Sequence, residues 1–259
     1  MTALIAGTQK GGTTALARFL GEHPDVCMAP AKEVHLFDSP TFDAGQIDAR
    51  YAAALPNYGG QRCVMEATPS YLYLPEVPGR IAQYNPAMRV IVLLRDPVER
   101  AVSQHHIERA RWSEWLPLRL ALAVEPYRLR AGGRSRSWRA SVRRHSYVDR
   151  GFYGAQLTRL FEVFPRDQVL ALKTDDLLHD HVGTLSRVYA FLGVEPPATY
   201  PRARMERMVE RKDEMPPGGW RLPPALERAL RRRFRDDLAL VEQLLGWDLS
   251  AWKGSDEGE

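Results

Sequence analysis

The stretch that decides the fold is Ala3-Leu4-Ile5-Ala6-Gly7-Thr8-Gln9-Lys10-Gly11-Gly12-Thr13-Thr14. Its apolar start predicts a β-strand, and the spacing of apolar residues over 13–22 predicts a helix packed on a sheet. A glycine-rich turn between a strand and a helix aims backbone N–H groups and the positive end of the helix dipole at one point. We therefore predict a binding site for a phosphate-like anion at this loop.

The position of the lysine sets this loop apart from the common nucleotide-binding loop. That loop reads G-x-x-x-x-G-K-[ST], with lysine after the second glycine and a hydroxyl residue that holds magnesium. Gly7 and Gly12 keep the spacing, but Thr13 stands in the lysine position and the lysine is Lys10. An ammonium group there approaches the anion from a different side, which argues against a magnesium-dependent ATPase. The alternative is a glycine-rich connection that binds nothing.

Three further stretches predict strands, namely residues 63–66, 89–94 and 168–172. The second is a continuous apolar run, typical of a strand covered on both faces. Helical spacing follows the strands, including a helix that begins at Pro97 and a long helix after Pro223-Pro224. Strands that alternate with helices predict an α/β fold with a central parallel sheet flanked by helices, the three-layer arrangement of P-loop proteins.

Arg95 directly follows the strand predicted at 89–94, and Asp96 and Pro97 can cap and open the next helix. Open α/β sheets bind ligands at the carboxyl ends of their strands, so Arg95 is a candidate anion-binding residue. The alternative is a salt bridge within this strand-helix turn.

Polar and apolar residues alternate over Lys32-Glu33-Val34-His35-Leu36-Phe37-Asp38. The alternation predicts a short extended piece with one face buried and Glu33 and His35 on the polar face. Surface residues on a loop are the alternative interpretation.

The length of 259 residues fits a single domain over 1–259, with a frayed polar tail at 253–259. The sequence shows no signal peptide and no run long enough to span a bilayer, so a cytoplasmic location is expected. Cys27 and Cys63 lack metal-ligand spacing and are expected to be small buried residues, with a disulfide between them left open.

The net charge is +4, and the arginines are unevenly distributed. Residues 126–148 contain seven arginines and no acidic residue, a composition that favours an anionic partner or a solvated segment. Nucleic acid is disfavoured because aromatic residues are not interleaved in a stacking pattern. The wider segment 112–147, with Trp112, Trp115 and Trp138, is a candidate lid or acceptor-contacting insertion, or else poorly ordered surface.

Four motifs occur in order: the loop 9–16, the segment 32–38, Thr68-Pro69-Ser70-Tyr71 after Glu66, and Arg95-Asp96-Pro97 with Arg100 and Ser103. Together with segments at 151–153, 164–169 and 191–193 they resemble sulfotransferases that use 3′-phosphoadenosine-5′-phosphosulfate (PAPS). The resemblance is to the heparan-sulfate-modifying type and its bacterial relatives, and it spans most of residues 4–193.

The resemblance implies in-line transfer of a sulfuryl group from PAPS to a hydroxyl or amine, with adenosine 3′,5′-bisphosphate (PAP) as product and no metal required. Glu33 is then the general base and His35 a further catalytic residue, and His35 and Asp38 orient either the acceptor or the base. Glu66 contacts the acceptor or supports the site. The residues implied to bind PAPS are Lys10 on the bridging oxygen, Gly11, Gly12, Thr13 and Thr14 at the 5′-phosphate, and Arg95 and Ser103 at the 3′-phosphate.

Three departures limit the resemblance to the heparan 3-O-type enzymes. Ala67 stands where those enzymes have lysine, and Thr14 stands where they have arginine. Their late Lys-Gly-Arg loop has no recognisable counterpart, although Arg211-Lys212 lies in about the right region. Their acceptor is therefore not carried over. A small molecule of secondary metabolism, a lipid and an oligosaccharide all stay open, as do O- and N-sulfation and the oligomeric state.

Two other classes of function compete with a sulfotransferase. A P-loop kinase of small substrates is disfavoured by the displaced Lys10 and by the pairing of Arg95 with Ser103. A non-catalytic nucleotide-binding or arginine-rich interaction module is disfavoured by the presence of both Lys10 and Glu33.

Overall fold

A computed structural model describes residues 1–132, 137, 140–200 and 222–254. Its central sheet has five parallel strands in the order β2-β3-β1-β4-β5. The strands are β1 (Ala3–Gly7), β2 (Val26–Met28), β3 (Cys63–Ala67), β4 (Arg89–Leu94) and β5 (Val169–Lys173). This arrangement confirms the predicted α/β fold with a parallel sheet flanked by helices.

The helices of the described residues connect and follow these strands. They are α1 (Thr13–Leu20), α2 (Ile47–Ala54), α3 (Val77–Tyr84), α4 (Pro97–Ala110), α5 (Leu118–Gly132), α6 (Ser141–Arg144), α7 (Tyr153–Val163), α8 (Thr174–His179), α9 (His181–Leu192), α10 (Pro224–Leu245) and α11 (Ser250–Lys253). No helix in these ranges is both long and apolar enough to cross a lipid bilayer.

The chain forms two compact units. The first comprises Met1–Leu94 and Arg159–Met215 and contains the whole sheet. Its core packs buried side chains of β1, β3 and β4 against α1 and α9. Because Val90, Ile91 and Val92 are all fully buried, β4 is covered on both faces, as its continuous apolar sequence predicts.

The second unit comprises Arg95–Thr158 and Pro216–Glu259. Arg100 is fully buried in it, where its guanidinium donates to Gln104 Oε1 at 2.8 Å and to the carbonyl of Tyr147. Phe234 on α10 is also fully buried and would overlap any side chain at Gly151, because an added Cβ would lie 2.7 Å from its ring.

The segment predicted as a lid, an insertion or disordered surface contains regular structure. α5 covers fifteen residues of it, and buried Glu125 on that helix accepts hydrogen bonds from the N–H groups of Val148 and Asp149. Trp112 and Trp115 are 73% and 70% exposed, whereas Trp138 lies outside the described residues.

Several boundaries and environments differ from the sequence predictions. The helix predicted at 13–22 ends at Leu20, and the strand predicted at 168–172 runs one residue later. Cys27 and Cys63 are buried free thiols, so they do not form a disulfide. The predicted tail begins in α11, while residues 255–259 and the pair Arg211-Lys212 fall outside the described ranges.

Candidate active site

The anion-binding loop lies where β1 gives way to α1, and its glycines are required by close contacts. A Cβ at Gly7 would lie 2.8 Å from the Cβ of Leu72, and one at Gly11 would lie 2.5 Å from the carbonyl oxygen of Leu93. Gly12 has a φ of 91°, in the left-handed region that glycine adopts without steric cost. The register of β1 against β4 also shifts between Ile5 and Gly7, so the sheet is irregular just before the loop.

Backbone hydrogen bonds fix the path of the loop. Thr8 N donates to the Leu93 carbonyl, and Gly11 N donates to the Thr8 carbonyl, each at 2.9 Å. The predicted phosphate donor at Gly11 is therefore engaged inside the loop. Thr13 and Thr14 open α1, and the first N–H groups of a helix have no intrahelical partner. They are the better placed donors for an anion.

Thr174, the first residue of α8, also holds this loop, although it lies 163 positions after Gly11 in the sequence. Its Oγ1 lies 2.8 Å from the carbonyl oxygen of Gly11 and 3.1 Å from that of Leu94. Sequence reasoning missed this residue. The available signal was a hydroxyl at the carboxyl end of a predicted parallel strand, the edge at which such sheets bind ligands.

Lys10, the residue on which the anion-site prediction depends most, is half-buried and has a φ of 72°. A left-handed conformation is uncommon outside glycine and costs about 1–3 kcal/mol. Glu33 and His35 share it, with φ values of 64° and 57°. Three of the predicted site residues thus have strained backbones, and such strain clusters at functional sites.

The segment 32–38 is not the extended piece that its alternation predicted. Left-handed backbone at Glu33 and His35 rules out a strand, and the segment is an irregular loop. Glu33 N still donates to the carbonyl of Ala67, the last residue of β3, at 3.2 Å. The alternation in the sequence therefore does not mark the two faces of a strand. Leu36 and Phe37 are both buried in the core, whereas Glu33 is exposed.

The structure brings together Glu33, His35 and Asp38 in one chain of ionic contacts. His35 Nε2 lies 3.3 Å from Glu33 Oε2, and His35 Nδ1 lies 3.0 Å from both carboxylate oxygens of Asp38. Asp38 is fully buried at its side chain and also accepts a 2.6 Å hydrogen bond from Ser70 Oγ. Lys32 Nζ approaches the other end of the chain, 3.3 Å from Glu33 Oε1.

These contacts shift two pKa values in opposite directions. Burial raises the pKa of Glu33, but the hydrogen bond from His35 and the charge of Lys32 outweigh it and lower the pKa to about 2. Burial lowers the pKa of His35, but its hydrogen bonds to Asp38 and Glu33 outweigh it and raise the pKa to about 9. At neutral pH the chain therefore consists of a carboxylate, an imidazolium and a second carboxylate.

Glu66 is not part of this chain. Its side chain is fully buried and accepts hydrogen bonds from the hydroxyls of Thr68, Tyr71 and Tyr51. Complete burial disfavours contact with an acceptor and favours the alternative prediction, a supporting role. The sequence analysis identified the Thr68-Pro69-Ser70-Tyr71 motif as part of the family resemblance, but it did not predict that the hydroxyls of Thr68 and Tyr71 donate to Glu66.

Arg95 and Ser103 lie in the second unit, at the start of α4 and within it. The Arg95 guanidinium donates to Glu99 Oε2 at 2.7 Å and 3.1 Å, which is the salt bridge that the sequence left open. Tyr153 OH donates to the carbonyl of Arg95 at 2.9 Å. Ser103 is half-buried.

Asp96 caps α4 by accepting from Val98 N and Glu99 N, with Pro97 in the first turn, as the sequence predicted. It also pairs with Arg231 at 2.8 Å. The Arg231-Arg232-Arg233 run is therefore not uniformly solvated, because Arg231 is committed to an ion pair.

A glycine-rich strand-loop-helix connection at the carboxyl end of the middle strand of a parallel sheet, in the same unit as an acid-histidine-acid chain, defines an α/β protein with a candidate anion site and acid-base groups. The sulfotransferase domain profile matches residues 2–212. The chain belongs to the sulfotransferase family, a family of transferase enzymes, and the family resemblance inferred from the motifs is confirmed.

Heparan sulfate glucosamine 3-O-sulfotransferase 6 from Mus musculus is 36% identical over 193 residues, covering 74% of this chain and 52% of the relative. The chain thus spans about half the length of such curated relatives. A sulfotransferase from Alicyclobacillus acidocaldarius has a TM-score of 0.80 and 29% identity, with 98% of each chain covered.

The mouse sulfotransferase SULT7A1, solved in a complex with PAP, has a TM-score of 0.59 and 16% identity, covering 95% of this chain and 89% of its own. At this identity the similarity supports the fold alone.

Proposed function

We propose that this protein is an active PAPS-dependent sulfotransferase that transfers a sulfuryl group to a hydroxyl or amine, with Glu33 as general base. The observation that carries the proposal is the ionic chain from Glu33 through His35 to Asp38. It holds one carboxylate at 38% exposure, available to a substrate, and it holds that carboxylate in the anionic form.

The contacts of this chain support the proposed transfer of a proton to Glu33. The acceptor oxygen forms a bond to sulfur while the bond from sulfur to the bridging phosphate oxygen breaks, and PAP leaves with the electron pair. The acceptor proton moves to Glu33. When the acceptor hydroxyl takes the place of His35 Nε2 beside Glu33, the hydrogen bond that lowers the pKa of Glu33 is lost, and the carboxylate becomes a stronger base.

His35 and Asp38 have the supporting roles in this scheme. Asp38, fixed by Ser70, holds the imidazole through Nδ1 and keeps it protonated. Before the acceptor binds, the imidazolium directs Nε2 toward Glu33; during transfer its positive charge offsets the negative charge that the site accumulates. We assign Asp38 to orientation of His35, because its side chain is fully buried.

We assign to the loop between β1 and α1 the role of stabilising the negative charge on the departing phosphate. Sulfuryl transfer, like phosphoryl transfer, gains most from positioning and charge stabilisation. Lys10 supplies a positive charge at the bridging oxygen, and the N–H groups and hydroxyls of Thr13 and Thr14 hold the 5′-phosphate at the helix N-terminus. Gly11 and Gly12 allow the backbone to make the close turn, and they contribute no charge.

Arg95 and Ser103 are assigned to the 3′-phosphate, the group that distinguishes PAPS from ATP. Their assignment rests on the sequence resemblance and on the position of Arg95 directly after the interior strand β4. Arg95 already binds a carboxylate, Glu99, through two of its guanidinium nitrogens. A phosphate presents oxygens of the same kind to the same donors.

The candidate acceptors of this protein include more chemical classes than the names of the relatives indicate. The curated relatives are named for heparan sulfate, so an oligosaccharide is one candidate. Ala67 replaces the lysine that the heparan 3-O-type enzymes carry, and for this reason small molecules and lipids are retained as candidates. We propose a cytoplasmic location for the protein. We also propose that its chemistry needs no metal, because Lys10 and the helix terminus provide the positive charge.

Ligand-induced thermal stabilisation tests the proposed function. PAP at about 100 times its Kd should stabilise the protein by about 2.7 kcal/mol, and ATP with magnesium should stabilise it far less. Equal stabilisation by both nucleotides, or a preference for ATP, would favour a P-loop kinase and exclude the PAPS assignment. Lys10→Ala should weaken the response to PAP. Screening acceptor classes with labelled PAPS then identifies the substrate.

A further inference from the structure

Glu66 is a fully buried acidic residue of the first unit that the proposed mechanism does not use. It lies on β3 with no exposed surface. Its Oε2 accepts from Thr68 Oγ1 at 2.5 Å, and its Oε1 accepts from Tyr71 OH at 2.6 Å and from Tyr51 OH at 3.3 Å. A buried carboxylate that gathers three hydroxyl hydrogens determines the direction in which each hydroxyl points.

Two of these hydroxyls also hold the backbone of segment 32–38, which carries Glu33 and His35 and is called the catalytic segment below. Tyr71 OH accepts from Leu36 N at 2.9 Å and from Phe37 N at 3.3 Å, and Thr68 Oγ1 accepts a longer hydrogen bond of 3.4 Å from His35 N. Three consecutive N–H groups of an irregular loop are therefore bound by side chains rather than by a neighbouring strand.

Hydrogen-bond capacity links the two sets of contacts. A hydroxyl has one hydrogen to donate and two lone pairs that accept. Because Thr68 and Tyr71 give their single hydrogens to Glu66, their lone pairs remain for the N–H groups of the loop. Without an acceptor at Glu66, each hydroxyl is free to turn its hydrogen elsewhere, and the loop loses a directed partner.

We propose that Glu66 is a positioning residue for sulfuryl transfer: through Thr68 and Tyr71 it fixes the backbone that presents Glu33 and His35. The reaction named here rests on the proposed function, whereas the positioning itself rests on the contacts of Glu66. The strained left-handed backbone at Glu33 and His35 is what this network holds in place.

Tyr51 provides a matched control for this proposal. Tyr51→Phe and Tyr71→Phe each remove one hydroxyl bonded to Glu66 Oε1, and each keeps a ring that packs against Phe37, with centroids 6.0 Å and 5.6 Å away. Among the described residues, the Tyr51 hydroxyl donates to Glu66, whereas the Tyr71 hydroxyl also accepts from N–H groups of segment 32–38. Only Tyr71→Phe should therefore loosen the catalytic segment.

The experiment is an NMR titration of the ¹³C-labelled histidine rings, which reports His35 without any acceptor. We expect Tyr71→Phe to lower the pKa of His35 from about 9 by about one unit or more, since its contacts with Glu33 and Asp38 depend on the loop. Tyr51→Phe should leave that pKa at its wild-type value. Equal shifts in the two variants, or no shift in Tyr71→Phe, would overturn the proposal.

A second pair of variants covers the case in which Tyr71→Phe does not fold. Thr68→Val removes the other hydroxyl at similar volume, and Thr68→Ser restores it. We expect Thr68→Val to lower the pKa of His35 and Thr68→Ser to keep it; the same value in both would also count against the positioning role. Binding of PAP by the wild-type protein tests the sulfotransferase assignment separately, so the two ideas fail on different measurements.

Discussion

Glu33 lies in the short loop at 32–38 and Glu66 is linked to that loop through Thr68 and Tyr71, but the two side chains lie in opposite environments. Glu33 is 38% exposed at its side chain and is surrounded by the cationic groups of Lys32 and His35. Glu66 is wholly buried and is surrounded by hydroxyls. Burial raises the pKa of Glu66, although its hydrogen bonds from Thr68 and Tyr71 oppose that change, whereas the pKa of Glu33 falls to about 2.

The difference shows how a fold separates two uses of one functional group. A carboxylate that exchanges a proton with a substrate needs access to the substrate and a counter-charge that can move aside. A carboxylate that fixes a loop needs neither, and its exclusion from water makes each of its hydrogen bonds costly to lose. Substitutions at the two positions should therefore produce different kinds of defect.

The largest effect is expected for Glu33→Gln. Loss of the general base should reduce turnover about 10²–10⁴-fold, the usual contribution of such a group. PAP binding should persist, because Glu33 is assigned to the acceptor side of the reaction. Turnover is measured with labelled PAPS and the acceptor found by screening, and binding by calorimetry. Normal turnover in this variant would transfer the base assignment to another residue, His35 first.

Glu66→Gln should act mainly on stability. An amide supplies one acceptor oxygen and turns an N–H donor toward a hydroxyl that is itself donating. One buried hydroxyl then lacks its partner, at a cost of about 1–3 kcal/mol in the free energy of unfolding. Urea denaturation compares this variant with Glu33→Gln, which removes a more exposed group and should cost less. A larger loss of stability in Glu33→Gln would reverse the comparison.

Asp38→Asn should change the pH dependence of the reaction. The raised pKa of His35 keeps the imidazole charged up to about pH 9, so turnover should fall as pH rises through that value. An asparagine no longer stabilises the imidazolium, and the alkaline limb should move toward neutral pH by about one unit, or about 1.4 kcal/mol. Ser70→Ala, which removes one hydrogen bond to Asp38, should produce a smaller shift of the same sign. An unmoved limb would show that the limb does not report His35.

The smallest effect is expected at a third carboxylate, Glu99, which is 50% exposed and pairs with Arg95. Exposed ion pairs contribute about 0.2–1 kcal/mol, so Glu99→Gln should tighten PAP binding by at most about fivefold. Titration calorimetry with PAP measures this, and Arg95→Ala should weaken binding in the same assay. Weaker binding in Glu99→Gln would mean that the carboxylate helps to hold the arginine ready for the ligand.

Much of the fold followed from the sequence because its strongest signals are local. The strand at β4, the loop after β1 and the cap at Asp96 each depend on a few adjacent residues, and each was predicted. β2 is only three residues long and was missed, since so short a strand has no period to detect. The fifteen-residue α5 was missed because Pro126 and the arginines obscured its pattern.

The candidate site was predicted in its residues but not in its arrangement. The resemblance to sulfotransferases identified Glu33, His35 and Asp38, yet the alternation predicted an extended piece where the backbone is left-handed. The reason is that hydroxyls of Tyr71 and Thr68, more than thirty residues away, satisfy the N–H groups that a strand would pair. Such long-range side-chain contacts leave no local pattern in the sequence.

The hydrogen bonds of Thr174 have a consequence for the order in which the protein matures. The carbonyl of Gly11 is bound by a hydroxyl 163 positions later in the chain. Contacts of such wide separation form late, because the intervening chain must first be ordered. Completion of the loop between β1 and α1 waits for β5 and α8, which place Thr174 against it. Affinity for PAP should therefore be among the last properties to return during refolding.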